Sequence, residues 1–142
     1  MSLFRVKVEH LPRLTEYELS AQDLAEQFQI LGLEKLYLWD HKYWYASLED
    51  WGKIFADVLL NMPKYTADKF DCENYALLTC AKVSERYQLN TCGIAIGDSP
   101  WGYHGFNIFI NEVGLYYLEP QDGMMYPVTE DSGYKAHIVI MG

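Results

Sequence analysis

Three short segments of the chain carry side chains that could act together in nucleophilic chemistry. Cys72 follows Asp71 at the expected start of a helix, His104 opens an apolar segment, and Glu119 follows Leu118 in a second one. A thiolate can attack a carbonyl carbon, an imidazole can move the protons, and an acid can orient the imidazole. The residue types and their order therefore predict a Cys-His-acid site.

The helix that would position Cys72 is predicted by its apolar spacing. Residues at helical intervals are Cys72, Tyr75, Ala76, Thr79, Cys80, Val83 and Tyr87. Asp71 is a natural N-cap, and the positive end of the helix dipole favours a thiolate at Cys72. A small buried side chain is the other common role of a free cysteine, and Cys80 and Cys92 fit that role better because neither starts a helix.

The candidate acid follows from the geometry of a hairpin between two predicted strands. A symmetric turn places His104, Glu119 and Gln121 on one face of the sheet, because cross-strand partners share a face. Glu119 is then the preferred orienting residue, and Gln121 is the second choice. One extra residue in the turn would reverse the register and bring Asn107 or Asp122 to that face instead.

An oxyanion would need two hydrogen-bond donors at this site. The backbone N–H of Cys72 is one candidate, because it lies at the start of a helix. The second could be the Tyr65 hydroxyl, the Trp101 indole or a loop amide, with Gln121 in a supporting role, and the sequence does not choose between them.

The remaining pattern predicts an α+β fold with N-terminal helices packed on a largely antiparallel C-terminal sheet. The predicted elements are a strand over 3–9, helices over 21–31, from 48 to Pro63 and from 72, and strands over 92–97, 104–111, 114–119 and 135–141. The aromatic-rich segment 36–45 fits either a strand or a loop. Since no linker or repeat divides the chain, residues 1–142 are expected to form a single domain.

Charge and composition exclude several classes of partner. The net charge is −9 and the 11 basic residues are scattered, which argues against binding to nucleic acid or to anionic membranes. The chain has no apolar run of about 20 residues and no signal-peptide core, so we expect a soluble, cytoplasmic protein or one exported without such a signal. The three cysteines suggest no disulfide framework, and no spacing suggests a metal site or a required cofactor.

The motifs together resemble the papain-like and transglutaminase-like cysteine hydrolases. The run from Tyr65 to Ala76, His104-Gly105-Phe106-Asn107 and Leu118-Glu119-Pro120-Gln121 look most like the C-terminal cysteine-protease domain of fungal chimeric agglutinins and its stand-alone bacterial or phage relatives. The resemblance covers residues 65–140. It implies Cys72 as nucleophile, His104 as base and Glu119 as orienting acid, together with calcium activation and a homodimer. The glutamine that papain-type enzymes place before the cysteine is absent.

Three functions are therefore predicted, from different classes, and the third is a metal-binding regulator that uses the acidic surface. The first is a cysteine hydrolase, a thiol peptidase, amidase or acyl transferase that acts on a peptide or amide substrate through a thioester acyl-enzyme. The alternative is a catalytically inactive binding or interaction module on the same scaffold, of phage origin, with the exposed aromatic side chains of 37–45 as its interaction surface.

Overall fold

The computed structural model describes residues 14–142. The strand predicted over 3–9 lies outside these residues. The elements are β1 (Glu16–Ser20), α1 (Ala21–Phe28), β2 (Lys35–Leu38), β3 (Lys42–Ala46), α2 (Leu48–Val58), α3 (Cys72–Tyr87), β4 (Cys92–Ser99), β5 (Gly102–Ile110), β6 (Leu115–Leu118), β7 (Met125–Pro127) and β8 (Lys135–Met141). A 3-10 turn over Gln29–Leu31 continues α1.

Six strands form the main sheet in the order β2-β8-β4-β5-β6-β7, and β1 pairs with β3 in a separate two-stranded sheet. Only the β2–β8 pair runs parallel within the main sheet. The predicted α+β class with a largely antiparallel sheet is therefore confirmed. The segment left open as strand or loop contains both, because β2 and β3 are joined by a short connection. The short strand β7 was not predicted.

The two earlier helices begin where their caps predict. Ser20 Oγ accepts a hydrogen bond from the Asp23 backbone N–H at 3.0 Å, and Ser47 Oγ accepts one from the Asp50 N–H at 3.1 Å. The predicted extension of α2 to Pro63 is wrong, because the helix ends at Val58. The chain then turns away through a left-handed residue, Asn61, whose φ is 59°.

Helix α3 begins at Cys72, as predicted, and packs on strands β4 and β5. The Asp71 backbone N–H donates to Asn74 Oδ1 at 3.1 Å, which closes the reciprocal half of a capping box. Among the described residues, no helix has the length and apolar character needed to cross a bilayer.

Apolar side chains pack on both faces of the main sheet, because successive residues of a strand point to opposite faces. One cluster joins α1 to the sheet and includes Leu24, Phe28, Phe106, Ile108, Tyr117 and Tyr134. The other joins α2 and α3 to the opposite face and includes Trp51, Phe55, Val83, Phe109 and Leu118. We call this second cluster, together with helices α2 and α3, the helix layer.

Candidate functional site

The β5–β6 hairpin brings two of the predicted site residues together. Ile110 pairs with Leu115 and Asn107 with Leu118, which is the register of the symmetric turn. His104 Nε2 and Glu119 Oε1 are 2.6 Å apart. The predicted pairing of His104 with Glu119 is thus confirmed as a contact.

The same register sends Asn107 to the opposite face, into the helix layer. Its Nδ2 donates to the Ala76 carbonyl at 3.0 Å and to the Gly93 carbonyl at 3.1 Å. Asn107 is fully buried there and has no access to the site. The reversed register, which would have brought Asn107 beside His104, does not occur.

A glycine allows the start of α3 to approach β5 beside His104. A Cβ built on Gly105 would lie 3.2 Å from the Glu73 Cα and 3.3 Å from the Glu73 N, closer than side chains normally pack. The Gly105 N–H points at the Cys72 sulfur, with 3.5 Å between N and Sγ. This close approach places the thiol in the same pocket as the imidazole.

All the predicted site residues line one pocket, of about 490 Å³. The lining residues are Tyr65, Cys72, Trp101, Tyr103, His104, Glu119, Gln121 and Asp122. Tyr103 was not predicted, although it directly precedes His104 in the chain. Three of these side chains are large, exposed aromatic rings, and Trp101 is the most exposed of them at 71%. We refer to this cavity as the site pocket.

Glu119 forms the floor of the site pocket and is only 2% exposed. Its Oε1 accepts from the Tyr134 hydroxyl at 3.1 Å as well as contacting His104, and its Oε2 accepts from the Gln121 backbone N–H at 3.1 Å. Tyr134 was not predicted from the sequence. The only signal was an aromatic residue placed after Gly133 at the start of the last predicted strand.

The Cys72 thiol lies in an electrostatic environment that favours its neutral form. Its pKa is raised mainly by partial burial, and the hydrogen bond to Glu73 Oε2 at 3.3 Å raises it further. The Gly105 N–H acts in the opposite direction and lowers the pKa. Within residues 14–142, no hydrogen bond joins the sulfur to His104. The helix start alone therefore does not establish a thiolate–imidazolium pair.

The two other cysteines lie outside the site pocket, as their sequence positions suggest. Cys92 is buried and its Sγ lies 4.0 Å from Cys80 Sγ, at the interface of α3 and β4. In the described part of the chain, no group of three or more His, Cys, Asp or Glu side chains is placed to hold a metal ion. Calcium activation stays a prediction from the resemblance.

Comparison with known proteins gives structural matches only. No family model and no curated protein matches the chain. One matched structure is described as a PSL1a-E64 complex, with a TM-score of 0.69 at 21% identity. Another is the Polyporus squamosus lectin bound to the human-type influenza-binding epitope Neu5Acα2-6Galβ1-4GlcNAc, with a TM-score of 0.69 at 19% identity.

Each match covers 87% of this chain and about half of the matched structure, 51% in the first case and 49% in the second. At this level of identity the likeness shows a shared fold. The described residues of this chain therefore have the fold of about half of a larger protein.

These comparisons correct the prediction of function. One matched structure is a lectin with a sialylated glycan, and another is PSL1a with E64. On this comparison, the assignment to the papain-like and transglutaminase-like cysteine hydrolases is wrong, and so are the thiol-protease function and the peptide or amide substrate. The physical reason is that one fold supports several functions. Short motifs predicted which side chains lie together, and that arrangement alone does not determine the function. The roles of Cys72, His104 and Glu119 stay a prediction.

Proposed function

We propose that this chain is a binding module whose ligand occupies the site pocket. The observation that carries the proposal is the pocket itself, a cavity of about 490 Å³ that combines three exposed aromatic rings with convergent polar groups. Cavities of this size hold small ligands, and a few fixed polar groups orient them. The rings are those of Tyr65, Trp101 and Tyr103.

The state of the thiol supports binding over attack on a substrate. Burial and Glu73 together favour the protonated sulfur of Cys72, and the protonated form is a weak nucleophile. His104 makes its close contact with Glu119 on the side of Nε2. The thiol and imidazole can then serve as hydrogen-bonding groups of the pocket.

Carbohydrate is the ligand class that we propose for this pocket, since one matched structure is a lectin bound to a glycan. Aromatic faces pack against the C–H faces of a sugar ring, and carboxylate and amide oxygens accept hydrogen bonds from its hydroxyl groups. The carboxylates of Glu73, Glu119 and Asp122 lie in or beside the pocket, so an anionic sialyl group would be repelled there. We therefore propose a neutral sugar, such as the Galβ1-4GlcNAc unit, as the part that the pocket holds.

A titration followed by NMR tests the binding proposal. Galβ1-4GlcNAc and Neu5Acα2-6Galβ1-4GlcNAc are added separately to the labelled protein and to two variants, Trp101→Ala and the matched control Trp39→Ala. Trp39 is similarly exposed at 72% but lies outside the site pocket. We expect saturable shifts at pocket residues, stronger for the neutral sugar, and a loss of affinity of about tenfold or more only in Trp101→Ala.

Two results would overturn the binding proposal. One is the absence of saturable binding for both sugars. The other is cleavage of a peptide library by the wild-type protein that disappears in Cys72→Ala, because a binding module turns over no substrate.

A second candidate function keeps the predicted roles of the three site residues, as covalent capture of an electrophilic ligand. The Gly105 N–H at the sulfur and the His104–Glu119 contact favour it, and one matched structure is a complex with E64. E64 is an epoxide. In this reaction His104 takes the thiol proton, Cys72 Sγ attacks an epoxide carbon, the C–O bond breaks, and His104 returns the proton to the released oxygen.

Mass spectrometry distinguishes this second candidate from simple binding. The protein is incubated with E64, and the adduct is mapped in wild type, Cys72→Ala and His104→Ala. We expect one adduct, on Cys72, that forms more slowly in His104→Ala. An adduct spread over all cysteines, or a rate of adduct formation that is the same in wild type and His104→Ala, would contradict covalent capture.

Three further predictions from the sequence stay proposals. They are the papain-like or transglutaminase-like class of the fold, the single domain over 1–142 and the homodimer.

A further inference from the structure

We infer that Tyr134 is a positioning residue of the site pocket, which fixes the Glu119 carboxylate and through it the orientation of the His104 ring. The inference deepens the proposed function and rests on it in one respect, that the pocket is where the ligand binds. Its geometry and its test concern the protein without ligand.

The hydrogen bonds of Glu119 carry the inference. Oε1 contacts both His104 Nε2 at 2.6 Å and the Tyr134 hydroxyl at 3.1 Å, so the two groups share one acceptor atom. Oε2 accepts the Gln121 backbone N–H. A buried carboxylate that accepts three hydrogen bonds has little freedom to rotate. Removal of the Tyr134 hydroxyl leaves Oε1 with the imidazole alone.

The Tyr134 ring is itself held in place on several sides. It stacks on Tyr126 with 5.2 Å between ring centroids and meets the Phe106 ring edge-on at 5.1 Å. It also approaches Trp101 edge-on at 6.4 Å. Tyr134 therefore connects the buried floor of the site pocket to an exposed aromatic ring at its rim.

The preceding glycine fixes the course of the backbone into Tyr134. Gly133 has a φ of 87°, a left-handed value that favours glycine. A Cβ at this position would lie 3.0 Å from Pro100 Cγ, in the loop that carries Trp101. The segment before β8 is thus packed against the loop between β4 and β5.

The arrangement also determines which imidazole nitrogen carries the hydrogen. An ionised carboxylate only accepts hydrogen bonds, so beside an ionised Glu119 the donor is His104 Nε2, and in a neutral ring Nδ1 is then the acceptor. Tyr134 stays a donor at all ordinary pH values, because burial and the neighbouring Glu119 charge raise its pKa far above its usual value. The other ionisable groups in or beside the pocket are Tyr65, Cys72, Glu73, Tyr103 and Asp122.

Exchange of the His104 Nε2 proton with solvent tests the inference. The protein is labelled with ¹⁵N in its histidine rings, and the exchange rate is measured without ligand in wild type, Tyr134→Phe and Tyr126→Phe. Tyr126→Phe is the matched control, since within residues 14–142 its hydroxyl makes no hydrogen bond to Glu119. We expect exchange about tenfold faster in Tyr134→Phe, the factor typical of one charge-assisted hydrogen bond, and unchanged in Tyr126→Phe.

The same sample gives the melting temperature, which a purely structural role of Tyr134 would lower without a selective effect on this proton. Equal exchange rates in Tyr134→Phe and wild type would overturn the inference. If Tyr134→Phe does not fold, Glu119→Gln with ¹³C-labelled tyrosine replaces it. The Tyr134 hydroxyl should then ionise at lower pH than in wild type, and no change would overturn the inference. If the protein binds neither sugar but the His104 proton exchanges as expected, the proposed function is rejected and the inference about Tyr134 stands.

Discussion

The site pocket and the helix layer each contain a thiol and a tyrosine–carboxylate pair. The pocket is open to solvent, whereas the helix layer is built around buried side chains. Helix α3 carries a thiol in each region, Cys72 at its start and Cys80 two turns later. Cys72 shares a solvent-open pocket with an imidazole, whereas Cys80 packs beside the buried Cys92 and contacts the amide of Asn107. One helix therefore presents two thiols of identical chemistry, and access to solvent and to His104 distinguishes them.

Each region also pairs a tyrosine with a carboxylate. In the site pocket the Tyr134 hydroxyl donates to Glu119 at 3.1 Å, and in the helix layer the Tyr87 hydroxyl donates to Asp57 at 2.8 Å. The difference lies in the cation. Asp57 forms an ion pair with Arg86 at 3.1 Å, a group that is always charged, while Glu119 contacts a histidine. The helix layer therefore pairs its carboxylate with a guanidinium, whereas the pocket pairs its carboxylate with an imidazole.

The largest expected difference between the two regions is in thiol labelling. Iodoacetamide should modify Cys72 in the native protein about a thousandfold faster than Cys92, because the core must open before Cys92 is reached. Peptide mapping over time measures both rates. Comparable rates for the two residues would show that α3 separates from β4 far more easily than its packing indicates.

Asn107 tests how strongly the helix layer depends on its buried amide. Asn107→Ala should lower the free energy of unfolding by about 3 kcal/mol, since the carbonyls of Ala76 and Gly93 lose a donor and a cavity forms. Urea unfolding measures the change. The control Gln121→Ala, at an exposed residue of the site pocket, should stay within about 0.5 kcal/mol of wild type. An equal loss of unfolding free energy in both variants would mean that the buried amide of Asn107 contributes no more to stability than the exposed amide of Gln121.

High pH tests the tyrosine of the helix layer. Burial, and then the hydrogen bond from Tyr87 to Asp57, raise the pKa of Tyr87 to about 12. A raised pKa in the folded state contributes stability that is complete below about pH 10 and is lost as the pH rises towards 12. Tyr87→Phe should therefore lose about 1 kcal/mol at pH 8, and the gap to wild type should narrow between pH 10 and 12.

Urea unfolding at pH 8, 10 and 11 follows that gap. Tyr37→Phe is the control, because Tyr37 is an exposed residue of β2. Its gap to wild type should be small and independent of pH. A Tyr87→Phe gap that stays constant over this range would show that the hydroxyl of Tyr87 contributes nothing through ionisation.

The smallest expected effect concerns Glu73 at the mouth of the site pocket. The hydrogen bond and negative charge of Glu73 help to raise the pKa of the Cys72 thiol, after burial as the main cause. Glu73→Gln should lower that pKa, so alkylation of Cys72 at pH 7 should become severalfold faster. Glu85→Gln, at an exposed position of the same helix, should have no effect. A slower reaction in Glu73→Gln would mean that the carboxylate activates the thiol.

The sequence was informative where local rules determine the geometry. The period of α3 and its Asp71 cap placed Cys72 at a helix start, and the four-residue turn with strict alternation placed Glu119 one diagonal step from His104 on the same face. Both local arguments are confirmed. They required no knowledge of how distant segments pack.

The remaining features depend on contacts between distant segments. Tyr134 reaches Glu119 only because the chain folds back after β7, and the approach of Glu73 to Gly105 depends on how α3 lies on the sheet. No periodic pattern in the sequence predicts either contact. The prediction of a cysteine hydrolase is wrong on the comparisons for a related reason. The order of the motifs predicts which side chains lie close together, but it does not determine the function of the site.

The close contact of His104 with Glu119 spans only 15 residues and lies within a single hairpin, whereas Cys72 comes from a separate helix. The imidazole–carboxylate pair is thus formed within one hairpin, and the thiol comes from a different element of the fold. A change at the start of α3 can remove or restore the sulfur without disturbing the pair. A single substitution at position 72 therefore decides whether this pocket contains a thiol, while the imidazole and the carboxylate stay in contact.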